Sequence, residues 1–504
     1  MRKVLKFVSS RVFVTCVCIA LQISFIIYLI YYLSSYSMYI QFSLTVLSLI
    51  ITVIIINKND NPMFKLSWIV PILVFPVFGW FLYLVFEKRQ PFGMSEKFNK
   101  IFDSEEYMLD QDESVSAELA DKPDICSQIK YISNSASAVA YNRTETKFYE
   151  CGKDFYSDFI EKISSAEKFI FMEYFIIGKG HMWNEVYEKI KQKAESGVEV
   201  RILFDDMGCI MFNKKYRNEM KRHGIYTAAF NPLKPSLDVF INYRDHRKIT
   251  IIDGTTAFTG GINISDEYIN LKERFGYWKD SVLMIHGDAV TSMTNMFVQM
   301  WNFCCSDTIE RDKYITACKT ENDGYVQPFG DRPGDIKQTG EMAYMKIINS
   351  ALRYVYITTP YLIPDNEMIT ALCLAAQSGV DVRIITPHIP DKWYVQTVTR
   401  SNYSVLINSG IKIYEFIPGF IHSKTIVSDD SKGIAGTSNF DFRSFYLLFE
   451  NGVFMYKSSA VMQMKNDFER TLELCEEINY SKCRRFPLIV RVTGAVLKLF
   501  SPLM

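Results

Sequence analysis

Two stretches of the chain, "RDHRKITIID" (Arg244–Asp253) and "IHSKTIVSDD" (Ile421–Asp430), place the same residue types at the same intervals. In each, a lysine follows the histidine by two positions, an aspartate by seven and an asparagine by seventeen. The sets are His246, Lys248, Asp253 and Asn263, and His422, Lys424, Asp429 and Asn439. Lys or Asp each occupies a given site roughly 6% of the time, so a histidine with both partners arises about once in 250. Two of the six histidines have both, in corresponding places, which chance does not explain. Residues two apart on a strand share a face. His246 and Lys248 therefore project together while Arg247 points away, and His422 and Lys424 do the same. Brought face to face, two imidazoles and two ammonium groups suit a phosphodiester. The lysines and asparagine amides would hold the non-bridging oxygens and the charge that develops in the transition state. One imidazole would attack phosphorus. The other would protonate the leaving oxygen and then take the acceptor's proton. This chemistry calls for no metal or other cofactor, and no Cys/His set has zinc-like spacing.

The elements that must position these residues also come in duplicate. "SAEKFIFMEYFIIGKG" (Ser165–Gly180) parallels "SALRYVYITTPYLIPD" (Ser350–Asp365), and "SGVEVRILFDD" (Ser196–Asp206) parallels "SGVDVRIITPH" (Ser378–His388). "HRKITIIDGTTAFTGGIN" (His246–Asn263) then parallels "HSKTIVSDDSKGIAGTSN" (His422–Asn439). Apolar runs alternate with helical patterns, and Ser-Gly closes a helix ahead of each buried strand. The expected fold class is α/β: two copies of a mixed sheet flanked by helices, 126–330 and 331–483, with one active site at their interface. Residues 1–90 read as a membrane anchor of two to three hydrophobic helices and 91–125 as a linker. Residues 484–504 read as a basic amphipathic segment.

No charge occurs between Arg11 and Lys58. Within that window Val12–Leu33 and Met38–Ile56 are each long enough to cross a bilayer. Tyr31, Tyr32, Tyr36 and Tyr39 cluster between them like an interfacial belt. A third apolar run, Leu66–Phe86, contains Pro71, Pro76 and Gly79, so it spans, kinks or re-enters. Arg2, Lys3, Lys6 and Arg11 place the N-terminus inside. A re-entrant third run then keeps the catalytic part cytoplasmic, which suits eleven scattered cysteines without a CxxC. Lys+Arg and Asp+Glu balance at 56 each, so overall charge gives no case for nucleic acid as a partner. The tail Cys483–Met504 fits either a helix on an anionic membrane surface or one docked on the core.

Two HxKxxxxD motifs, each followed by a Gly-rich turn and an Asn, resemble the phospholipase D superfamily. More narrowly, the chain resembles bacterial cardiolipin synthases, through "EYFI" at Glu173–Ile176, "GGINISDEYI" at Gly260–Ile269, "YWKD" at Tyr277–Asp280, "TTPYLIPD" at Thr358–Asp365 and "SNFDFRS" with "FEN" between Ser438 and Asn451. "NPMFKLSWIVPILVFPVFGWFLYLVF" looks like the last membrane helix of that family. The resemblance implies membrane phospholipids as partners: phosphatidyl transfer between two phosphatidylglycerols, through a phosphohistidine, giving cardiolipin and glycerol. Water or serine as acceptor would make the protein a phospholipase D or a phosphatidylserine synthase, and a non-catalytic membrane scaffold is the alternative of another class. The resemblance also assigns His246 as nucleophile and His422 as acid/base, with the reverse left open. It makes Asp253 and Asp429 local structural residues and Asp280 and Glu450 the acids that orient the imidazoles, with Asp280 serving His246. Oligomeric state is not legible.

Overall fold

The computed structural model describes residues 17, 20–28, 37–86, 92–232, 242–318, 320–334 and 337–503. The chain forms two compact units, of which the smaller includes residues 37–86 and Lys498–Leu503. In it, α1 (Ser37–Ile56) is uncharged and 20 residues long, about 30 Å at 1.5 Å per residue, enough to cross a bilayer. Residues 20–28 are also helical. Apart from residue 17, the rest of the expected Val12–Leu33 span lies outside the described residues, as do Tyr31, Tyr32 and Tyr36.

The third apolar run, expected to span, kink or re-enter, is broken in two. It forms α2 (Pro62–Val74) and α3 (Pro76–Phe86). Asn61 caps α2 by accepting a hydrogen bond from the Met63 amide, and α2 ends at Phe75, whose ψ of 76° is non-helical. The following Pro76 disfavours a helical Phe75. The two helices then double back on each other. Trp68 meets Tyr83 edge to face at 5.6 Å, and Gly79 lies so close to α2 that a Cβ there would overlap the Pro71 carbonyl. Both pairs are about equally distant from Phe75, which is the geometry of an antiparallel hairpin. Ile51 and Ile55 of α1 pack with Ile72 and Tyr83 of the hairpin. At 13 residues, α2 reaches only about 20 Å, short of a full crossing.

The larger unit runs from Glu96 to Leu497 apart from a short insertion. Its first helix of note, α4 (Pro123–Ala136), precedes the first strand. The strands of the first half are β1 (Thr144–Tyr149), β2 (Phe169–Tyr174), β3 (Glu199–Asp205), β4 (Ile225–Phe230), β5 (Arg244–Asp245), β6 (Lys248–Ile252), β7 (Thr256–Gly260), β8 (Tyr277–Lys279) and β9 (Val282–Gly287). Seven of them form a sheet in the order β1-β9-β7-β6-β2-β3-β4. β2, β3 and β4 are parallel and the others antiparallel. The helices α5 (Gly152–Ser165) and α6 (His181–Glu195) bury Phe155, Phe159 and Ile163, and Trp183, Val186 and Ile190, at the three- and four-residue spacing of an apolar stripe. Each such side chain contributes about 1.5–3 kcal/mol. Alternate residues of β2 serve two layers. Ile170, Met172 and Tyr174 join the core under α5 and α6, while Phe171 stacks at 4.5 Å on Phe297 of α7 (Val290–Cys304).

The second half repeats this plan. Its strands are β10 (Tyr325–Asp331), β11 (Tyr354–Thr358), β12 (Leu362–Ile363), β13 (Asp381–Pro387), β14 (Lys412–Phe416), β15 (Gly419–Ile421), β16 (Thr425–Ser428), β17 (Lys432–Gly436), β18 (Phe440–Asp441), β19 (Leu448–Tyr456) and β20 (Cys475–Ile478). The sheet order β10-β19-β17-β16-β11-β13-β14-β20 contains the same inner path as the first sheet. Its helices include α8 (Thr339–Asn349), α9 (Asn366–Gln377), α10 (Trp393–Asn408), α11 (Phe442–Tyr446), α12 (Ser459–Leu472) and α13 (Leu488–Lys498). The fold is therefore α/β with two mixed-sheet repeats. β10 straddles the boundary expected at 330/331. The stretch expected as a linker gives Val115 and Leu119 to the second core, with Ile125, Ile129 and Ile132 of α4.

Candidate active site

The two histidine motifs are positioned by very short strands that pair across the halves. β5 runs parallel to the start of β19, with Arg244 opposite Leu448 and Asp245 opposite Phe449. β15 runs parallel to β8, with Phe420 opposite Trp278 and Ile421 opposite Lys279. One residue further on, each pair of strands delivers a histidine and an acid to the same place. The His246 amide donates to the Phe449 carbonyl at 2.9 Å and the His422 amide to the Lys279 carbonyl at 2.7 Å. His246 Nδ1 then lies 2.8 Å from Glu450 Oε1, and His422 Nδ1 lies 2.7 Å from Asp280 Oδ2. Each imidazole thus meets a carboxylate from the other half, not from its own. This corrects the expected pairing of Asp280 with His246. A carboxylate at Nδ1 fixes the tautomer with Nδ1 protonated, so Nε2 carries the lone pair offered to a substrate.

The turns beside the acids differ for a reason. The Thr437 hydroxyl donates to Glu450 Oε2 at 2.5 Å. Its counterpart is Gly261, where a Cβ would collide with the Asp280 carboxylate. Asp280 Oδ1 accepts instead from the Ser281 amide at 2.8 Å. The rings around the histidines also differ. Trp278, Phe420 and Tyr268 surround His422 at 5.4, 5.6 and 5.8 Å, while Phe175 lies 5.2 Å from His246.

Lys248 Nζ donates to the His246 carbonyl at 2.6 Å, and Lys424 Nζ donates to the His422 carbonyl. Both lysines are at most 2% exposed. Burial pushes the Lys248 ammonium down to about 8 and that of Lys424 to about 7, against the pull of Glu450 and Asp280. Burial, then Lys424, pushes His422 down to about 4, with Asp280 opposing. Burial, then Lys248, Lys424 and His422, holds His246 well below the usual imidazole range. Burial raises Glu450 well above the carboxylate range, with Lys248 opposing. Cationic groups are thus held close together out of water, an arrangement suited to an anion and above all to one gaining charge.

The other site candidates fall elsewhere. Asp253 (φ 54°) accepts from the amides of Glu167, Lys168 and Phe169 at 2.7–2.9 Å, and Asp429 (φ 54°) from those of Leu352, Arg353 and Tyr354 at 2.8–3.1 Å. Each aspartate ties its turn to the start of the neighbouring strand. Asn263, expected as a phosphate donor, is used internally: its Oδ1 accepts from the Ile176 amide at 3.0 Å and its Nδ2 donates to the Tyr268 hydroxyl at 2.7 Å. Asn439 is buried, with no hydrogen-bond partner for its Oδ1 among the described residues. Glu173 lies behind the site, 3.7 Å from Arg247 Nη1, and burial and Asp245 raise its carboxyl. Trp278 and Phe420 were missed by the motif search because only the fold brings them to His422.

Duplicated mixed sheets with paired His-x-Lys strands define a phospholipase D-like protein. Consistent with this, the structure is similar to the crystal structure of phosphatidylserine synthase from Haemophilus influenzae, a likeness of fold at 14% identity (TM-score 0.58, covering 75% of this chain and 99% of that one). The family model "Cardiolipin synthase, PLD-like domain" matches residues 159–301 and 344–472, and a "Phospholipase_D-nuclease N-terminal" model matches 46–88. A cardiolipin synthase of Alkalihalophilus pseudofirmus is 34% identical over 475 residues, 92% of this chain and 93% of that protein. An uncharacterized protein of Streptococcus mutans is 38% identical over 463 residues, 89% of this chain and 98% of that protein. The chain belongs to the cardiolipin synthase family of phospholipase D-like proteins.

Proposed function

We propose that the two halves build a single active site, and that this site transfers a phosphatidyl group between two phosphatidylglycerols to give cardiolipin and glycerol. The observation that carries the proposal is the exchange of acids between the halves: neither imidazole has its carboxylate without the other half. His246 Nε2 attacks the phosphorus of the first lipid and the bond to its terminal glycerol breaks. His422 gives its Nε2 proton to the departing glycerol oxygen. Next, the glycerol hydroxyl of a second lipid loses its proton to His422, its oxygen bonds to phosphorus, and the phosphorus–nitrogen bond breaks. Glu450 and Asp280 favour the imidazolium that each ring becomes. Lys248 and Lys424 hold the non-bridging oxygens. The phosphodiester also opposes the lysine charges that keep His422 deprotonated, so substrate binding and proton uptake by His422 are coupled.

The hairpin supports a topology in which the catalytic chain lies on the side where α1 ends, because α2 and α3 leave and return together. With a second crossing over Val12–Leu33 and a basic N-terminus inside, the protein is a multi-pass membrane protein with a cytoplasmic catalytic part. The direct test is to incubate the purified protein with labelled phosphatidylglycerol. Cardiolipin and glycerol should form in equal amounts, and His246→Ala and Lys248→Ala should form neither. Parental yields from those variants would sink the proposal.

A further inference from the structure

The last helix, α13, faces the wrong way for a soluble surface. Its inner side lies against α10: a Cβ at buried Gly494 would come within 3.2 Å of the Ser401 Cβ and the Thr397 carbonyl. The side turned outward holds Leu488, Ile489, Val492 and Val496, which are 71, 72, 52 and 58% exposed. At 100° per residue these four occupy an arc of about 100°, the width of a stripe that normally faces a core. A helix whose partner is water alone puts polar residues there. Trp393, at the start of the same α10, is 67% exposed.

Two further observations say what covers this stripe. No acidic residue follows Glu477, whereas Lys482, Arg484, Arg485, Arg491 and Lys498 do. Such a charge repels a second copy of itself and attracts an anionic surface. The chain also passes from α13 directly into Lys498–Leu503, which belong to the same compact unit as the apolar hairpin. There the Ser67 hydroxyl of α2 donates to the Leu499 carbonyl at 2.7 Å. The residues that follow α13 in the chain are thus part of the apolar unit.

We propose that α13 lies in the plane of an anionic phospholipid leaflet, its Leu488–Val496 stripe in the acyl boundary and its basic residues among the headgroups. It holds the catalytic unit at the bilayer surface independently of α1. The proposal stands whatever reaction the site catalyses. The test uses the full chain in nanodiscs of phosphatidylglycerol and phosphatidylcholine doped with a diazirine phospholipid, photolysed, digested and mapped by mass spectrometry. Lipid adducts should fall on the α13 peptide as well as on α1, which serves as the internal standard. Ile489→Asp with Val492→Asp should cut the α13 adducts at least about tenfold while α1 keeps its own. Omitting phosphatidylglycerol should lower the α13 adducts selectively. Labelled α1 with unlabelled α13, or α13 recovered cross-linked to a second chain by an amine-reactive reagent, overturns the proposal.

Discussion

Replacing Lys424 with methionine should stabilise the protein near neutral pH while removing its activity. Lys424 is 2% exposed, and burial brings its ammonium down from 10.5 to about 7. The sign follows from linkage. The unfolded chain binds this proton up to about pH 10.5 and the folded chain only to about 7. Protonation therefore favours unfolding across that window, and the parent gains stability as pH rises through it. At 1.36 kcal/mol per pH unit, the disadvantage amounts to about 4 kcal/mol at pH 7 and about 2 kcal/mol at pH 9. Methionine fills nearly the same volume without the charge. It leaves the His422 carbonyl without its lysine donor, which costs about 1–3 kcal/mol. The net gain is then about 1–3 kcal/mol at pH 7 and close to zero at pH 9. The assay is thermal melting of parent and variant in the same detergent at both pH values. The variant should melt a few degrees higher at pH 7 and level with the parent at pH 9. Cardiolipin formation should fall about 10²–10³-fold, the loss typical of one donor to a developing oxyanion. A melting difference that does not change between pH 7 and 9 would refute the account of Lys424 as a buried charge held against its preference.

Glu450→Gln and Asp280→Asn should each lower turnover about 10²–10⁴-fold, since a neutral amide neither fixes the imidazole tautomer nor favours the imidazolium. With a donor whose leaving group needs no proton, Glu450→Gln should trap little phosphohistidine and Asp280→Asn should accumulate it. Identical trapping by the two variants would contradict the crossed pairing. Asp253→Ala removes the acceptor of three backbone amides at a turn with positive φ. It should cost about 2–4 kcal/mol of stability, read by denaturation, with turnover per folded molecule unchanged. For the hairpin, Lys58→Cys and Glu96→Cys should react with an impermeant maleimide only after cells are permeabilised. Reaction of one but not the other in intact cells means that the third apolar run crosses the membrane.

The two His-x-Lys pairs proposed as the catalytic residues were legible as candidates because their signal is local and occurs twice: a His and a Lys two apart on a strand need no tertiary knowledge to share a face. The pairing of acids with histidines was not. It depends on strands of two and three residues, β5 and β15, finding partners in the other half, and the spacing within each motif is the same whichever acid serves which ring. The asparagines show a related limit. An amide can be read from sequence, but its competitors cannot, and for Asn263 the Ile176 amide and the Tyr268 hydroxyl prevail. Pro71 and Pro76 announced a break in the third apolar run without giving its direction, which the Gly79 contact with α2 decides. Polar composition hid the segment before α4, because the few buried apolar residues that dock it, Phe98, Tyr107, Val115 and Leu119, are too sparse to read as a periodic stripe.

The duplication holds on the face that carries the two His-x-Lys pairs and fails immediately behind it, and that contrast bears on how the two histidines would divide their proposed work. Behind His246 lies a lattice of charge. Arg244 reaches Asp205 at 3.2 Å, the Asp245 amide donates to Asp205 at 3.1 Å, and Arg247 Nε donates to the Glu450 carbonyl at 3.1 Å. The corresponding positions in the second half are Phe420 for Arg244, Ile421 for Asp245, Ser423 for Arg247, Thr358 for Glu173 and Pro387 for Asp205. Behind their carboxylate partners, the backing is thus apolar and aromatic for His422 and ionic for the strand that carries His246. Arg247 donates to the backbone of the very residue whose side chain holds the His246 ring, so ring and acid are fixed together from behind. A nucleophile benefits most from such fixing, because its approach to phosphorus must be in line and a small misplacement is costly. An acid/base must instead exchange a proton with two different oxygens in succession, and the rings of Trp278 and Phe420 beside His422 leave its position to packing and to Asp280 among the described residues. On this ground we propose His246 as the nucleophile rather than the reverse assignment that the motifs alone leave open.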